Sequence, residues 1–174
     1  MLTDIDFEWL RLTFRLSEET VSAGDQPFAA VLVGPGRELL IEARQSRVAT
    51  NDCTAHAEMN VIREASPRWD WAFLERCTLY SSTEPCLMCT GAFAWSGIGR
   101  LVFGVSQARM YAEFAGAWEP RFVVPNSCSE LLANLQPPVV VEGPALEAEA
   151  LVAHRLAWPA EFAAAQRAFV VSAH

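Results

Sequence analysis

Short apolar runs bounded by turn residues alternate with stretches of helical period, and this alternation predicts an α/β fold, a three-layer α/β/α sandwich. Three stretches carry the prediction. Phe7, Leu10, Phe14 and Val21 fall on one side of a helix over residues 4–22, with Thr3 as its N-cap. The runs 28-FAAVLVG-34 and 39-LLIEAR-44 flank 35-PGRE-38 and read as strand, turn, strand. Ala55, Met59 and Ile62 then mark the buried face of a second helix over residues 55–65.

The remaining elements follow in order. Residues 45–54 are polar and read as a loop. The run 77-CTLYSS-82 is a third strand, 83-TEP-85 turns into a helix over residues 86–96, and 100-RLVFG-104 is a fourth strand. A helix over 106–116, a short helix over 129–135 and a fifth strand, 139-VVVE-142, come next. Two helical segments, 145–157 and 160–171, are separated by Pro159 and end the chain. No repeat, low-complexity tract or linker interrupts residues 1–174, so a single domain is expected.

Composition narrows the class. The chain has 174 residues, 52% of them apolar, with ten Phe and six Trp, enough for one sizeable core. The N-terminus, MLTDIDFEWL, is acidic and lacks the basic-then-apolar pattern of a secretory signal. No apolar run approaches the ~20 residues of a membrane span, so neither a membrane nor an export role is expected and the cytoplasm is the expected location. All 13 basic residues are Arg, scattered against a net charge of −8. A nucleic-acid binder usually shows a basic face, so nucleic acid is not the expected partner. Five cysteines occur, and in a cytoplasmic chain disulfides are not their expected use. Cys53, Cys77 and Cys128 read as core thiols.

Cys86 and Cys89 stand apart because of 53-CTAHAEMNVI-62, some thirty residues upstream of them. Zinc takes His nitrogen and Cys thiolate, and a catalytic zinc keeps its fourth position for water. His56, Cys86 and Cys89 supply three such ligands. The two cysteines are three apart in the first turn after Pro85, where a helix N-terminus favours thiolate. Glu58, two positions from His56, can reach beside the metal and move a proton. Each piece alone has an ordinary reading: a core His, a solvated helix acid, a redox CxxC pair.

Together, in the order His-x-Glu then Pro-Cys-x-x-Cys, these residues carry the zinc deaminase signature. The chain resembles the cytidine and deoxycytidylate deaminase superfamily, within it the guanine, nucleoside and tRNA adenosine deaminase branch. The matching stretches are 50-TNDCTAHAEMNVIREA-65, 84-EPCLMCTGAFAW-95 and 101-LVFG-104, and 27-PFAAVLV-33 is similar to the family's first strand. The resemblance covers roughly residues 5–110. It implies a five-stranded mixed sheet between helices, assembled as a homodimer or larger. It implies Zn2+ on His56, Cys86 and Cys89, with Glu58 as proton shuttle. It also implies that the backbone N–H groups of Ala57 and Cys86 help position the attacking oxygen, and that Trp95 and Phe28 line the base pocket.

Two departures stand out. Where the family usually has an Asn that bonds the substrate, this chain has Gln45, with the same donor and acceptor set one methylene further out. The family's Asp-Pro before Thr-Ala-His is Asp52-Cys53. The expected activity is hydrolytic deamination of a small free nucleobase or nucleoside, guanine-like or cytosine-like. The flank 98-IGRLVFG-104 is similar to tRNA adenosine deaminases and keeps that activity as the alternative, although the last forty residues hold only Arg155 and Arg167 as basic groups. A third possibility, a zinc-stabilised module without catalysis, calls for a fourth protein ligand. Trp158 or Phe162 in the C-terminal segments is a candidate lid over the pocket.

Overall fold

Thr3 starts the first helix. In the structure, a computed structural model that describes residues 1–114 and 126–158, the Thr3 hydroxyl accepts the Asp6 N–H while the Asp6 carboxylate accepts the Thr3 N–H, and helix α1 runs Asp4–Ser22. Its inward face carries Leu10 and Phe14 but also Thr13, Ser17 and Thr20. Those buried hydroxyls donate to carbonyls three or four residues back, which removes the cost of burying them.

Five strands form one sheet: β1 Ala29–Val33, β2 Leu39–Arg44, β3 Thr78–Thr83, β4 Arg100–Val105 and β5 Val140–Glu142. Their order is β2-β1-β3-β4-β5. β1 runs antiparallel to both neighbours, and β3, β4 and β5 run parallel, so the sheet is mixed. The helices are α1, α2 Arg47–Thr50, α3 Ala57–Ala65, α4 Trp71–Leu74, α5 Leu87–Ser96, α6 Gln107–Phe114, α7 Cys128–Leu132 and α8 Glu147–Ala157.

The pleat sorts side chains into two cores. Ala29, Val31, Val33, Tyr80 and Val102 join Leu10, Phe14 and Leu151 on the side covered by α1 and α8. Ala30, Leu32, Leu79, Leu101 and Phe103 join Val61, Ile62 and Phe93 on the side covered by α3 and α5. This is the three-layer sandwich that the sequence predicts. Because β1 is buried on both faces, it reads as an unbroken apolar run, whereas β3, almost as fully buried, ends in the polar residues Ser81, Ser82 and Thr83.

Some elements depart from expectation. The stretch 45–54 contains the helical turn α2, and α4 lies where the sequence carries no helical period. Both span four residues, too short for a repeat to show, although Asp70 accepting the Phe73 N–H is a local cap. Cys77 and Cys128 are buried as expected, whereas Cys53 is exposed. It occupies the second position of a turn closed by the Ala55 N–H and the Asp52 carbonyl, which points it outward. The segment 160–171, Phe162 and the end of the 106–116 helix fall outside the described residues. Among those described, no helix is long and apolar enough to cross a membrane.

One ion network ties the end of the sheet remote from the Glu84–Cys86 loop. Arg100 donates to Asp6 at 2.6 Å and to Glu142 at 2.5 Å, and the Tyr80 hydroxyl donates to Asp6 at 2.7 Å. Burial alone would raise the Asp6 pKa, but the Arg100 and Tyr80 hydrogen bonds overcome it and hold the carboxyl well below its usual range. Tyr80, buried and facing that charge, is pushed the other way.

At the opposite end, His154 of α8 is 0% exposed. Its Nδ1–H donates to the Ala150 carbonyl at 3.2 Å, so its Nε2 accepts the Thr83 hydroxyl at 3.2 Å. Burial lowers its pKa to about 4, against the Ala150 bond that raises it. The unfolded chain therefore takes up a proton between about pH 6.5 and 4 that the folded chain refuses. The neutral imidazole's contribution is complete above pH 6.5 and is lost as the pH falls through 4, up to about 3 kcal/mol. Urea unfolding should show stability falling across that window, and His154→Gln, which does not titrate, should flatten the fall. An equal fall in both proteins would remove His154 as its cause.

Candidate active site

Two helices begin at the same place. His56 is the N-cap of α3 and Cys86 the N-cap of α5, both in extended backbone and neither capping its helix with its side chain. Their side chains are thereby free to face each other, and Cys89 comes round on the first turn of α5. His56 Nδ1 lies 3.7 Å from Cys86 Sγ and 3.5 Å from Cys89 Sγ, and the two sulfurs are 3.6 Å apart. A tetrahedral zinc, with sulfur at ~2.3 Å and nitrogen at ~2.0–2.1 Å, sets its ligand atoms about 3.6–3.8 Å apart. The three atoms thus stand at three corners of such a tetrahedron, and the donor set suits zinc. Among the described residues no fourth Cys, His or carboxylate completes the group.

The local sequence explains the placement. The Asp52 carboxylate accepts the backbone N–H and the hydroxyl of Thr54, and Ser46 N–H donates to the Ala55 carbonyl, which fixes the chain entering α3. On the other side Gln107, the first residue of α6, donates its side-chain N–H to the Pro85 carbonyl at 2.8 Å. The buried Glu84 carboxylate accepts the backbone N–H of Gln107 at 3.0 Å and of Cys128 at 2.8 Å, and so caps α6 and α7 together. Gly97, at φ +82, ends α5 in the left-handed conformation, with the Trp71 ring packed against it.

The charges are arranged in sequence. The Cys86 thiol is lowered to about 4, chiefly by the hydrogen bond from Cys89, with burial opposing and His56 assisting. With that negative charge beside it, Cys89 holds its proton, and burial and Glu58 add to the effect. Glu58, 6% exposed, is raised by burial first and by Cys86 second. Its Oε2 lies 3.5 Å from Cys89 Sγ and its Oε1 lies 3.1 Å from Ser81 Oγ. Ser81 also lies 2.7 Å from the Thr83 carbonyl. A hydroxyl has one proton to donate, so Ser81 serves the Thr83 carbonyl when Glu58 is protonated and turns to Glu58 when it is ionised.

A cavity of about 60 Å³ opens onto these groups. Phe28, Gln45, His56, Glu58 and Cys86 line it, as do Gln26, Arg47, Gln107 and Tyr111. Two larger clefts, of about 270 Å³ beside Trp71 and about 470 Å³ beside Arg100, lie away from the ligand atoms and hold none of them. Chemistry, not size, singles out the smaller one.

Seven of the eight residues expected in the site are together here. Ala57, fully buried, opens α3, and among the described residues neither its N–H nor that of Cys86 is donated elsewhere. Trp95 is the exception: it is 85% exposed on the outer face of α5 and does not line the cavity. From Cys89 to Trp95 the helix turns about 600°, which carries Trp95 away from the face that holds the sulfur. Trp158 is likewise no lid. It packs in the core at 5.4 Å from His154 and 6.2 Å from Phe28, behind the cavity wall. Gln26, Arg47, Ser81, Glu84, Gln107 and Tyr111 are not singled out by sequence patterning. The one available signal is positional, since 84 and 107 follow the carboxyl ends of parallel strands, where α/β folds place ligands.

Comparison with known proteins agrees with this chemistry. Residues 4–105 match the cytidine and deoxycytidylate deaminase zinc-binding region. A probable cytosine deaminase of Schizosaccharomyces pombe is 35% identical over 160 residues, covering 90% of this chain and 94% of that protein. Guanine deaminase of Bacillus subtilis is 40% identical over 89 residues, 51% of this chain and 56% of the relative. A tRNA-specific adenosine deaminase of Haemophilus influenzae is 36% identical over 104 residues, 60% of each. The solved guanine deaminase of Nitrosomonas europaea superposes with a TM-score of 0.69 over 90% of this chain and 83% of its own, at 23% identity, a likeness of fold. With a matched region that ends at β4 and holds His56, Glu58, Cys86 and Cys89, this chain belongs to the cytidine and deoxycytidylate deaminase family of zinc-dependent deaminases.

Proposed function

We propose that the chain hydrolyses the exocyclic amine of a small free nucleobase, cytosine-like or guanine-like, to a carbonyl and ammonia. The observation that carries this reading is the buried Glu58 carboxyl beside His56, Cys86 and Cys89, a group able to hold zinc, at a cavity of about 60 Å³. The S. pombe relative, which this chain matches along almost its full length, supports it. The scattered arginines and net charge of −8 favour a small substrate over an RNA.

His56, Cys86 and Cys89 would hold the metal. Bound zinc supplies a Lewis acid that lowers the pKa of a coordinated water to about 7. The residues of the chain do the rest. Glu58 takes one proton of the attacking water and delivers it to the ring nitrogen of the base, then takes the proton left on the added hydroxyl and gives it to the amine, so that ammonia leaves and a carbonyl remains. Its raised pKa suits a group that must hold a proton and give it back. Ser81 follows these changes, donating to Glu58 whenever the carboxylate is charged. The N–H groups of Ala57 and Cys86, at the starts of two helices, are placed to donate to oxygen that gains charge. Phe28 supplies an apolar wall for the ring, and Gln45 a polar group for its edge.

Ammonia release should be measured with guanine, guanosine, cytosine, cytidine, adenosine and a tRNA anticodon stem-loop. Turnover of a free base is the expected result, and turnover of the stem-loop alone would replace this reading with tRNA adenosine deamination. Glu58→Gln should retain zinc and lose roughly 10²–10⁴-fold in turnover, the range of general acid–base catalysis. Wild-type turnover in that variant would end Glu58's role. Ser81→Ala should also retain zinc and lose roughly 10–100-fold in kcat, the worth of a hydrogen bond to a charged group. An unchanged kcat would reduce Ser81 to a strand residue.

A further inference from the structure

Arg47 settles the orientation of two amides. A guanidinium only donates hydrogen bonds, so the Gln26 atom that lies 3.2 Å from Arg47 NH1 must be the amide oxygen. The same oxygen lies 2.6 Å from the end of the Gln45 side chain, so that end must be the NH2 group. The donor-only guanidinium of Arg47 excludes the opposite orientation of both amides. Gln45 is itself 3% exposed, with its backbone N–H donated to the Phe28 carbonyl. Its Oε1 is the group left over. Among the described residues that oxygen accepts no hydrogen bond, and Gln45 lines the cavity beside Glu58. Arg47 makes no ion pair with a described carboxylate, so nothing competes with Gln26 for it there.

We propose that Gln26 and Arg47 lock Gln45 as a hydrogen-bond acceptor facing the cavity, and that this lock selects bases bearing a free ring N–H over their N-substituted forms. The proposal rests on the free-base reading above and refines it. In a free base, the ring nitrogen that a nucleoside attaches to its sugar carries hydrogen and donates. An amide free to rotate would present NH2 to that edge as readily as oxygen, whereas the locked amide offers oxygen alone. The chain's departure from Asn to Gln matters here, since the extra methylene carries the Gln45 amide to within 2.6 Å of Gln26. Gln26 and Arg47 act through Gln45 and are positioning residues.

The test compares kcat/KM for cytosine with 1-methylcytosine and for guanine with 9-methylguanine, with zinc content measured for each protein. The wild type should favour the unmethylated base. Gln26→Met, close to glutamine in length but unable to accept from Arg47 or Gln45, should lower that preference roughly tenfold, mostly through KM for the free base. Gln26→Glu still accepts from both partners and should keep the preference. A simple steric exclusion of the methyl group would leave the ratio unchanged in Gln26→Met, and that result would overturn the lock while leaving the free-base function standing. Failure of the wild type to deaminate either base, with zinc bound, would overturn the function and the lock with it.

Discussion

Three ligand atoms within 3.7 Å of one another, on residues thirty positions apart, require two helices to start at one point in space. The sheet provides this. β1 and β3 are antiparallel neighbours at its centre, so the chain leaving β2 into α3 and the chain leaving β3 into α5 emerge at the same end. Both N-caps forgo the usual Ser, Thr or Asp and place His56 and Cys86 there instead. Each helix thereby gives up a capping bond worth about 1 kcal/mol and directs its unsatisfied N–H groups at the site. The positive ends of two helices then favour the thiolate of Cys86 and any oxygen that gains charge between them.

Around this point the buried polar groups form a scaffold in which most partners are fixed. Glu84 joins the starts of α6 and α7, Gln107 clamps the loop before Cys86, and Tyr111 donates to Gln107 at 3.2 Å. His154 reaches from the opposite helical layer to Thr83, which also lines the cavity. Such groups are costly to bury unless every one is paired. Ser81 differs, because its single proton has two possible acceptors, one of them the buried Glu58 carboxyl. The polar network thus has single partners around His56 and Cys86 and a choice of partner at Glu58.

The legible part of the site is the part with local spacing. His56, Glu58, Cys86 and Cys89 are two and three residues apart within each motif, and spacing that short survives translation into helix geometry almost unaltered. Strand and long-helix positions were equally legible, because β1, β3 and α1 repeat their pattern over five or more residues. Cys53, Trp95 and Trp158 were not. A cysteine or tryptophan is apolar by type, and whether it is buried depends on the direction in which a turn or helix happens to face. Cys53 sits at the tip of a turn, Trp95 on the outer side of α5, and Trp158 against Phe28, and each placement follows from contacts distant in sequence. Gln26 and Arg47 escaped for the same reason. They meet only after β1 and β2 pair and bring Phe28 opposite Gln45.

The use of arginine in place of lysine carries through the molecule. At one end of the sheet Arg100 sits between Asp6, Tyr80 and Glu142, its planar fork satisfied by two carboxylates, and it acts there as a tie between α1, β4 and β5. At the other end Arg47 meets an amide and no described carboxylate. A guanidinium cannot lose its proton to escape such a site, as a lysine could when poorly solvated. Its charge therefore stays at a cavity lined by His56, Glu58 and Cys86. Because it donates only, it also determines the direction of every amide bonded in series with it. Under the lock proposed above, Arg47 thus sets which edge of the Gln45 amide faces the cavity.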